Sequence, residues 1–289
     1  MKTILVPTDF SSSADAAVSY AAHLAQELNF GIILLHAYHV PFINPDLPSY
    51  MFQNEALIVE NSCKQKLSHL VETLGQTYPK VNFSYRNVMG FAEDEILDFA
   101  EENHIDLIVM GTKGASGIRE ILIGSITGSI VSKAKCPVLA IPQSKKYKKP
   151  SKIVYASELE KVELPVIDKI SRFAELFEAE LDIVHVNTGI APYSKDKLQP
   201  YEVAELIKKT IHYRNISFSI LPGELVQETL LEFLKKEKTD MLAIATHHRG
   251  LLEKIFTVSL AKQISYHSPV PLLVYHLDEE TETVLVRAS

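Results

Sequence analysis

Leu107-Ile108-Val109-Met110-Gly111-Thr112-Lys113-Gly114-Ala115-Ser116-Gly117-Ile118-Arg119-Glu120-Ile121-Leu122-Ile123-Gly124-Ser125 runs an apolar strand straight into the pattern G-x2-G-x9-G-S. Glycines directly after a buried parallel strand let the backbone come close to a ligand and turn amides toward it. Gly124-Ser125 falls at or near the start of the next helical segment, where unpaired amides favour anions. With the Ser125 and Thr127 hydroxyls, these amides suit a phosphate chain. The stretch is not a Walker loop, because GxxxxGK[ST] does not occur in the chain, and neither does GxGxxG.

Outward from this stretch, short Ile/Val/Leu runs alternate with segments of helical period, which predicts βαβ units around a parallel sheet covered on both faces. Upstream, strands are expected at Thr3–Pro7, Ile32–Tyr38 and Val81–Val88. Ser11-Ser12-Ser13 offers cap hydroxyls to a helix carrying Ala17, Ala21, Leu24 and Leu28, with Gly31 as its stop. A helix from about Met51 to Thr77 and another bearing Ile96, Leu97 and Phe99 follow. Ile105–Met110 and Pro137–Ile141 frame a last helix over Glu120–Lys133.

The order then starts again from Lys152–Ala156 and ends at Val270–His276, an internal repeat. Ile33-Leu34-Leu35-His36 matches Asp182-Ile183-Val184-His185 at a spacing of 149 residues, whereas Asp106-Leu107-Ile108 and Pro137-Val138-Leu139 match Asp240-Met241-Leu242 and Pro271-Leu272-Leu273 at 134. The first half therefore carries an insertion, most economically Pro41–Tyr50 with a longer following helix, read equally well as a lid or a packing arm. Three segments result: 1–144 with the intact motif, 151–276 with a degraded copy, and an acidic tail at 277–289. The basic run Lys145–Lys149 reads as a solvated linker.

The chain has 289 residues, 29 Lys+Arg against 36 Asp+Glu, a net charge of −7 and 46% hydrophobic residues. That length supports two domains or one large one, either with a full core. The acidic balance without a basic stripe argues against a nucleic-acid surface. No apolar run approaches the roughly 20 residues of a membrane helix, and no signal-peptide core opens the chain, so a cytoplasmic protein is expected. Cys63 and Cys136 form neither a CxxC pair nor a thiolate zinc set. His247, His248, His267 and His276 lack a Cys or carboxylate at ligand spacing and are not read as a metal site. His36 and His185 read as packing or hydrogen-bonding positions. GxSxG is absent, so no serine triad is expected.

Ile4-Leu5-Val6-Pro7-Thr8-Asp9-Phe10-Ser11, Leu34-Leu35-His36-Ala37, Gly90 before a helix, and G-x2-G-x9-G-S followed by Cys136-Pro137-Val138-Leu139 together resemble the universal stress protein family. The resemblance covers the first half fully and the second more weakly. It implies an α/β fold of two tandem five-stranded parallel-sheet sandwiches, Rossmann-like and of the adenine-nucleotide-binding type, packed as a pseudo-dimer through their last strands. An exchange of those last strands between halves is also implied. Family members that keep the motif bind ATP or a related nucleotide; others lack it and do not.

Carried over, Asp9 would contact the adenosine part, with Pro7 and Thr8 shaping its edge. Ala37 would offer backbone hydrogen bonds to adenine, and Met110 and Gly111 would lie under the nucleoside. Gly114, Gly124, Ser125, Ile126 and Thr127 would hold the phosphates. ATP, or AMP or ADP, with Mg²⁺ carried on the phosphates, is the expected ligand, at one site. In the second half Ala245, His248 and Val258 replace Gly111, Gly114 and Gly124, and Glu158 replaces Asp9. The expected role is a regulatory stress-response protein with protein clients; slow ATP hydrolysis and a nucleotide-free interaction module are the other readings. A homodimer of such chains stays open.

Overall fold

In the computed structural model, residues 2–39, 49–112, 125–160, 163–189, 199–247 and 270–277 are described. Pro41–Pro48, Gly114, Gly124, His248, Val258, His267 and residues 278–289 fall outside them. The first half contains β1 (Thr3–Pro7), α1 (Ser12–Leu28), β2 (Gly31–Tyr38), α2 (Ser49–Thr77), β3 (Phe83–Met89), α3 (Ala92–Glu102), β4 (Leu107–Gly111), α4 (Ser125–Lys133) and β5 (Val138–Ile141). The second contains β6 (Lys152–Ala156), α5 (Leu164–Phe177), β7 (Glu180–Asn187), α6 (Pro200–Thr210), β8 (Ile216–Pro222), α7 (Val226–Lys236), β9 (Met241–His247) and β10 (Leu272–Leu277).

Each half forms a five-stranded parallel sheet, and the two join into one ten-stranded sheet of order β3-β2-β1-β4-β5-β10-β9-β6-β7-β8. The join is the only antiparallel pairing among the described strands. In it Leu139 faces Leu273, with Ala140 opposite Leu272 and Val138 opposite Val274. Leu139 and Leu273 are equivalent residues of the repeat, so the pseudo-two-fold passes between them. The pairing through last strands is as expected, but the exchange is not: β5 keeps its own β4 and β10 its own β9. Each last strand reaches its neighbour without leaving home, since the edge it presents is already unpaired on the far side.

Along β1, Ile4 and Val6 turn to one face with Ala17, Ala21 and Leu24 of α1, while Leu5 turns to the other with Ile96 of α3 and Ile130 of α4. This is the two-residue alternation of a strand buried on both sides. The first of these cores runs without a break from α1 and α2 to Val166, Ile170 and Leu181 of the second half. The two halves thus share a core as well as a sheet.

The Ser11 hydroxyl caps α1 by accepting from the Ala14 amide at 3.2 Å. The helix ends at Asn29, left-handed at φ 56°, two residues before Gly31 opens β2. The lysine-rich linker is docked rather than wholly solvated. Although Lys146, Lys148 and Lys149 are exposed, Tyr147 packs edge-on against Tyr20 at 5.0 Å and stacks on His23 at 5.2 Å. Lys148 also reaches Asp240 at 2.6 Å. The aromatic ring inside the basic run prefers the apolar flank of α1 to water.

Candidate functional site

In the first half the chain runs from β1 outward to β2 and β3, then crosses back to β4 and β5 on the other side of β1. The carboxyl ends of β1 and β4 therefore flank a topological switch point, where open α/β sheets bind ligands. Three segments converge there. Pro7 and Thr8 are buried at the end of β1, and Asp9 is exposed just beyond. Met110 and Gly111 end β4, both buried. Ser125 and Ile126 open α4 with exposed side chains, and the buried Thr127 follows.

Hydrogen bonds fix each of these segments in place. The Thr8 amide donates to the Leu35 carbonyl at 2.9 Å, and the Thr8 carbonyl accepts from His36 Nδ1 at 2.7 Å. The Thr8 hydroxyl accepts from the Phe10 amide at 3.1 Å, and Asp9 Oδ1 from the Ser11 amide at 3.0 Å. These bonds turn the chain sharply through Phe10, left-handed at φ 59°. The Thr127 hydroxyl donates to the Gly111 carbonyl at 2.8 Å. That donor is therefore spent on fixing α4 to β4, and what the start of α4 can give an anion is its backbone amides and the Ser125 hydroxyl.

Gly111 is glycine for a reason inside the fold. A Cβ there would come within 2.4 Å of Ser13 Oγ and 2.5 Å of the Ser13 carbonyl oxygen, so the first turn of α1 rests directly on the end of β4. Ala37 lies half-buried near the end of β2, its position paired with Val88 of β3. It belongs to the same sheet end, one strand away from β1.

The second half repeats the corner and fills it. Ser157, Leu159 and His185 stand where Thr8, Phe10 and His36 do: the Ser157 amide donates to Val184, His185 Nδ1 contacts the Ser157 carbonyl at 2.9 Å, and Leu159 is left-handed at φ 64°. Both histidines are thus hydrogen-bonding positions, as their sequence context suggests. Glu163, however, turns its carboxylate inward. Oε2 accepts from the Tyr155 hydroxyl at 2.9 Å and the Ser157 hydroxyl at 2.7 Å, and Oε1 from the amides of Glu158 at 2.9 Å and Glu160 at 3.3 Å. Burial pushes this carboxyl up to about 7, against the pull of those hydrogen bonds.

Glu163 escaped the sequence reading, which matched Asp9 with Glu158. The carboxylate that occupies the turn comes instead from the position equivalent to Ala14. An acidic run, Glu158-Leu159-Glu160-Lys161-Val162-Glu163, reads as surface, and only the apolar partners around Tyr155 mark one of its members as internal.

A family model described as the universal stress protein family matches residues 1–142 and again 150–276. The chain belongs to the universal stress protein family. Its relatives include a universal stress protein of Methanocaldococcus jannaschii, 32% identical over 148 residues, or 50% of this chain and 84% of that one. One from Bacillus subtilis is 27% identical over 48% of this chain and 97% of its own. Over the full length, the crystal structure of a universal stress protein from Archaeoglobus fulgidus superposes with a TM-score of 0.73 at 18% identity, covering 96% of this chain and 98% of that one. The last likeness speaks for the tandem fold. Among the described residues no helix is long and apolar enough to cross a membrane.

Proposed function

We propose that the chain binds one adenine nucleotide, ATP or its AMP or ADP relatives, at the switch point of its first half, and acts as a regulatory protein of the cytoplasm rather than a dedicated enzyme. In this reading residues 1–144 hold the ligand, 151–276 serve as the paired scaffold, and 277–289 form a tail. The observation that carries it is the meeting of exposed Asp9, the end of β4 and the start of α4, with the G-x2-G-x9-G-S pattern bridging the last two. Asp9 can accept from ribose hydroxyls or an adenine amino group, and Ala37 can pair with the base through its backbone. Amides at the start of α4, with Gly114, Gly124 and Ser125, would receive the phosphates.

Mg²⁺ would be held mainly by the phosphates, neutralising their charge. Among the described residues no group of three His, Cys, Asp or Glu side chains could hold a metal alone, and the amide-and-hydroxyl character of the bed fits a metal that arrives with its nucleotide. In the second half the Glu163 carboxyl occupies the donors of the β6–α5 turn, and Ala245 stands where Gly111 does. That half is accordingly read as empty of nucleotide.

The test is to denature the purified protein and chromatograph what it releases, beside a Gly124→Val variant that copies Val258. Expected are one adenine nucleotide per chain from the parent and none from the variant. Protein that releases nothing, and whose melting temperature Mg·ATP leaves unchanged, is a nucleotide-free interaction module.

A further inference from the structure

Helix α4 links the proposed phosphate bed to the other half of the molecule. It has nine residues, and its final four carbonyls, on Ile130 to Lys133, have no partner within the helix. The Ile130 carbonyl accepts from the Ala134 amide at 2.9 Å. The Val131 carbonyl is reached from outside the half: His276 Nε2 lies 2.9 Å from it, across 145 residues of sequence. A carbonyl can only accept, so Nε2 carries the proton. His276 sits on β10, 4% exposed, in the strand that joins the two sheets. The equivalent first-half position is Pro142, which has no side-chain donor, so this bond has no mirror image.

We propose that His276 is a positioning residue for the first-half nucleotide site, capping α4 from the second half so that occupancy at one end of the helix is felt at the other; this rests on the nucleotide reading above. The front of α4 is fastened by the Thr127 hydroxyl on the Gly111 carbonyl, and the back by His276 on Val131. Between these points the helix has little freedom to slide, and the amides at its start are held where phosphate oxygens need them. A donor at a helix C-terminus also complements its partial negative charge, while an anion complements the N-terminus. The two ligations therefore favour the same placement of one short helix, and by linkage each strengthens the other. The half without an intact motif thereby serves the site by supplying the cap.

The experiment titrates the full-length protein with Mg·ATP and Mg·ADP by calorimetry, as the parent, His276→Leu and His276→Gln. In parallel, hydrogen exchange of residues 272–277 is followed in the parent with and without Mg·ATP. Loss of one buried donor predicts about fivefold weaker binding in His276→Leu. Gln, which keeps a side-chain N–H, should bind within about twofold of the parent, and nucleotide should slow exchange in β10. If Leu and Gln both bind like the parent, or both lose affinity alike, capping by this donor is overturned while the nucleotide reading stands. If His276→Leu does not fold, the parent's exchange decides: slower β10 exchange with Mg·ATP supports the coupling, and unchanged exchange overturns it. A parent that binds no adenine nucleotide overturns both readings, and its first titration says so.

Discussion

Residues 8–10 and 157–159 trace the same turn with the same bonds: a hydroxyl holds the amide two residues on, a histidine holds the carbonyl, and a non-glycine residue is left-handed at the corner. What surrounds the turn differs. In the first half α1 is capped at Ser11 and its first turn lies against Gly111. In the second, the helix cap is three equivalent positions later, at Glu163, and Ala245 adds the methyl that Gly111 lacks. One corner is left open to solvent at Asp9; the other is closed by its own carboxylate. Duplicated geometry thus persists where it shapes the backbone, and diverges in the side chains that surround the turn.

The sharpest way to separate the halves is pH. Burial favours the neutral form of Glu163, so the folded chain holds this proton more tightly than the unfolded one, where the carboxyl returns to about 4.5. Its stabilising contribution is complete below that value and is lost as pH rises through about 7. Urea unfolding across this window should show a loss of about 3 kcal/mol in the parent that Glu163→Gln removes. Ala14, the first-half equivalent, has nothing to titrate. Equal pH slopes in parent and variant would show that the carboxylate is not the source.

Next in size is the glycine pair. Gly111→Ala should cost about 2 kcal/mol, because its methyl meets the backbone carbonyl of Ser13 and α1 must move. The mirror substitution, Ala245→Gly, asks only for added backbone freedom and a lost methyl contact, about 1 kcal/mol. Thermal denaturation of both variants checks the asymmetry. If Ala is tolerated at 111 as readily as Gly at 245, the close approach of α1 to β4 is not what holds the glycine there.

Much of this architecture can be read from residues alone, since strands buried on both faces appear as unbroken runs such as Ile32-Ile33-Leu34-Leu35, and the repeat is visible in His36 and His185. Ends of elements were less legible: β3 begins at Phe83 rather than Val81, and β10 runs on to Leu277. Those boundaries depend on which partner strand is present to bond. The strand exchange failed because it came from likeness to other proteins, not from any residue here. The roles of Glu163 and His276 were hidden for a different reason. Each is polar, His276 is placed by a helix 145 residues away, and no local period marks a side chain that turns inward to meet a hydroxyl or a helix end.

A last contrast lies at the opposite end of the sheet, where Asp106 and Asp240 fill equivalent places before β4 and β9. Asp106 Oδ2 accepts from the Thr3 amide at 2.7 Å. Asp240 Oδ2 accepts from the Ser151 amide at 2.9 Å, the Ser151 hydroxyl at 2.6 Å and the Lys152 amide at 3.2 Å, while Oδ1 takes Lys148. Burial alone would raise the Asp240 carboxyl, but the Lys148 and Ser151 hydrogen bonds outweigh it and hold the group below its usual range. Its contribution is therefore present above the unfolded value and lost as pH falls through the lowered one. Asp106→Ala should cost about 1 kcal/mol and Asp240→Ala about 2 kcal/mol, read as urea midpoints at neutral pH. Since Lys148 and Ser151 lie in and beside the linker, the excess at Asp240 measures how firmly the linker is anchored to the second half. Equal losses would mean that the linker lysine adds nothing to the anchoring of the linker on the second half.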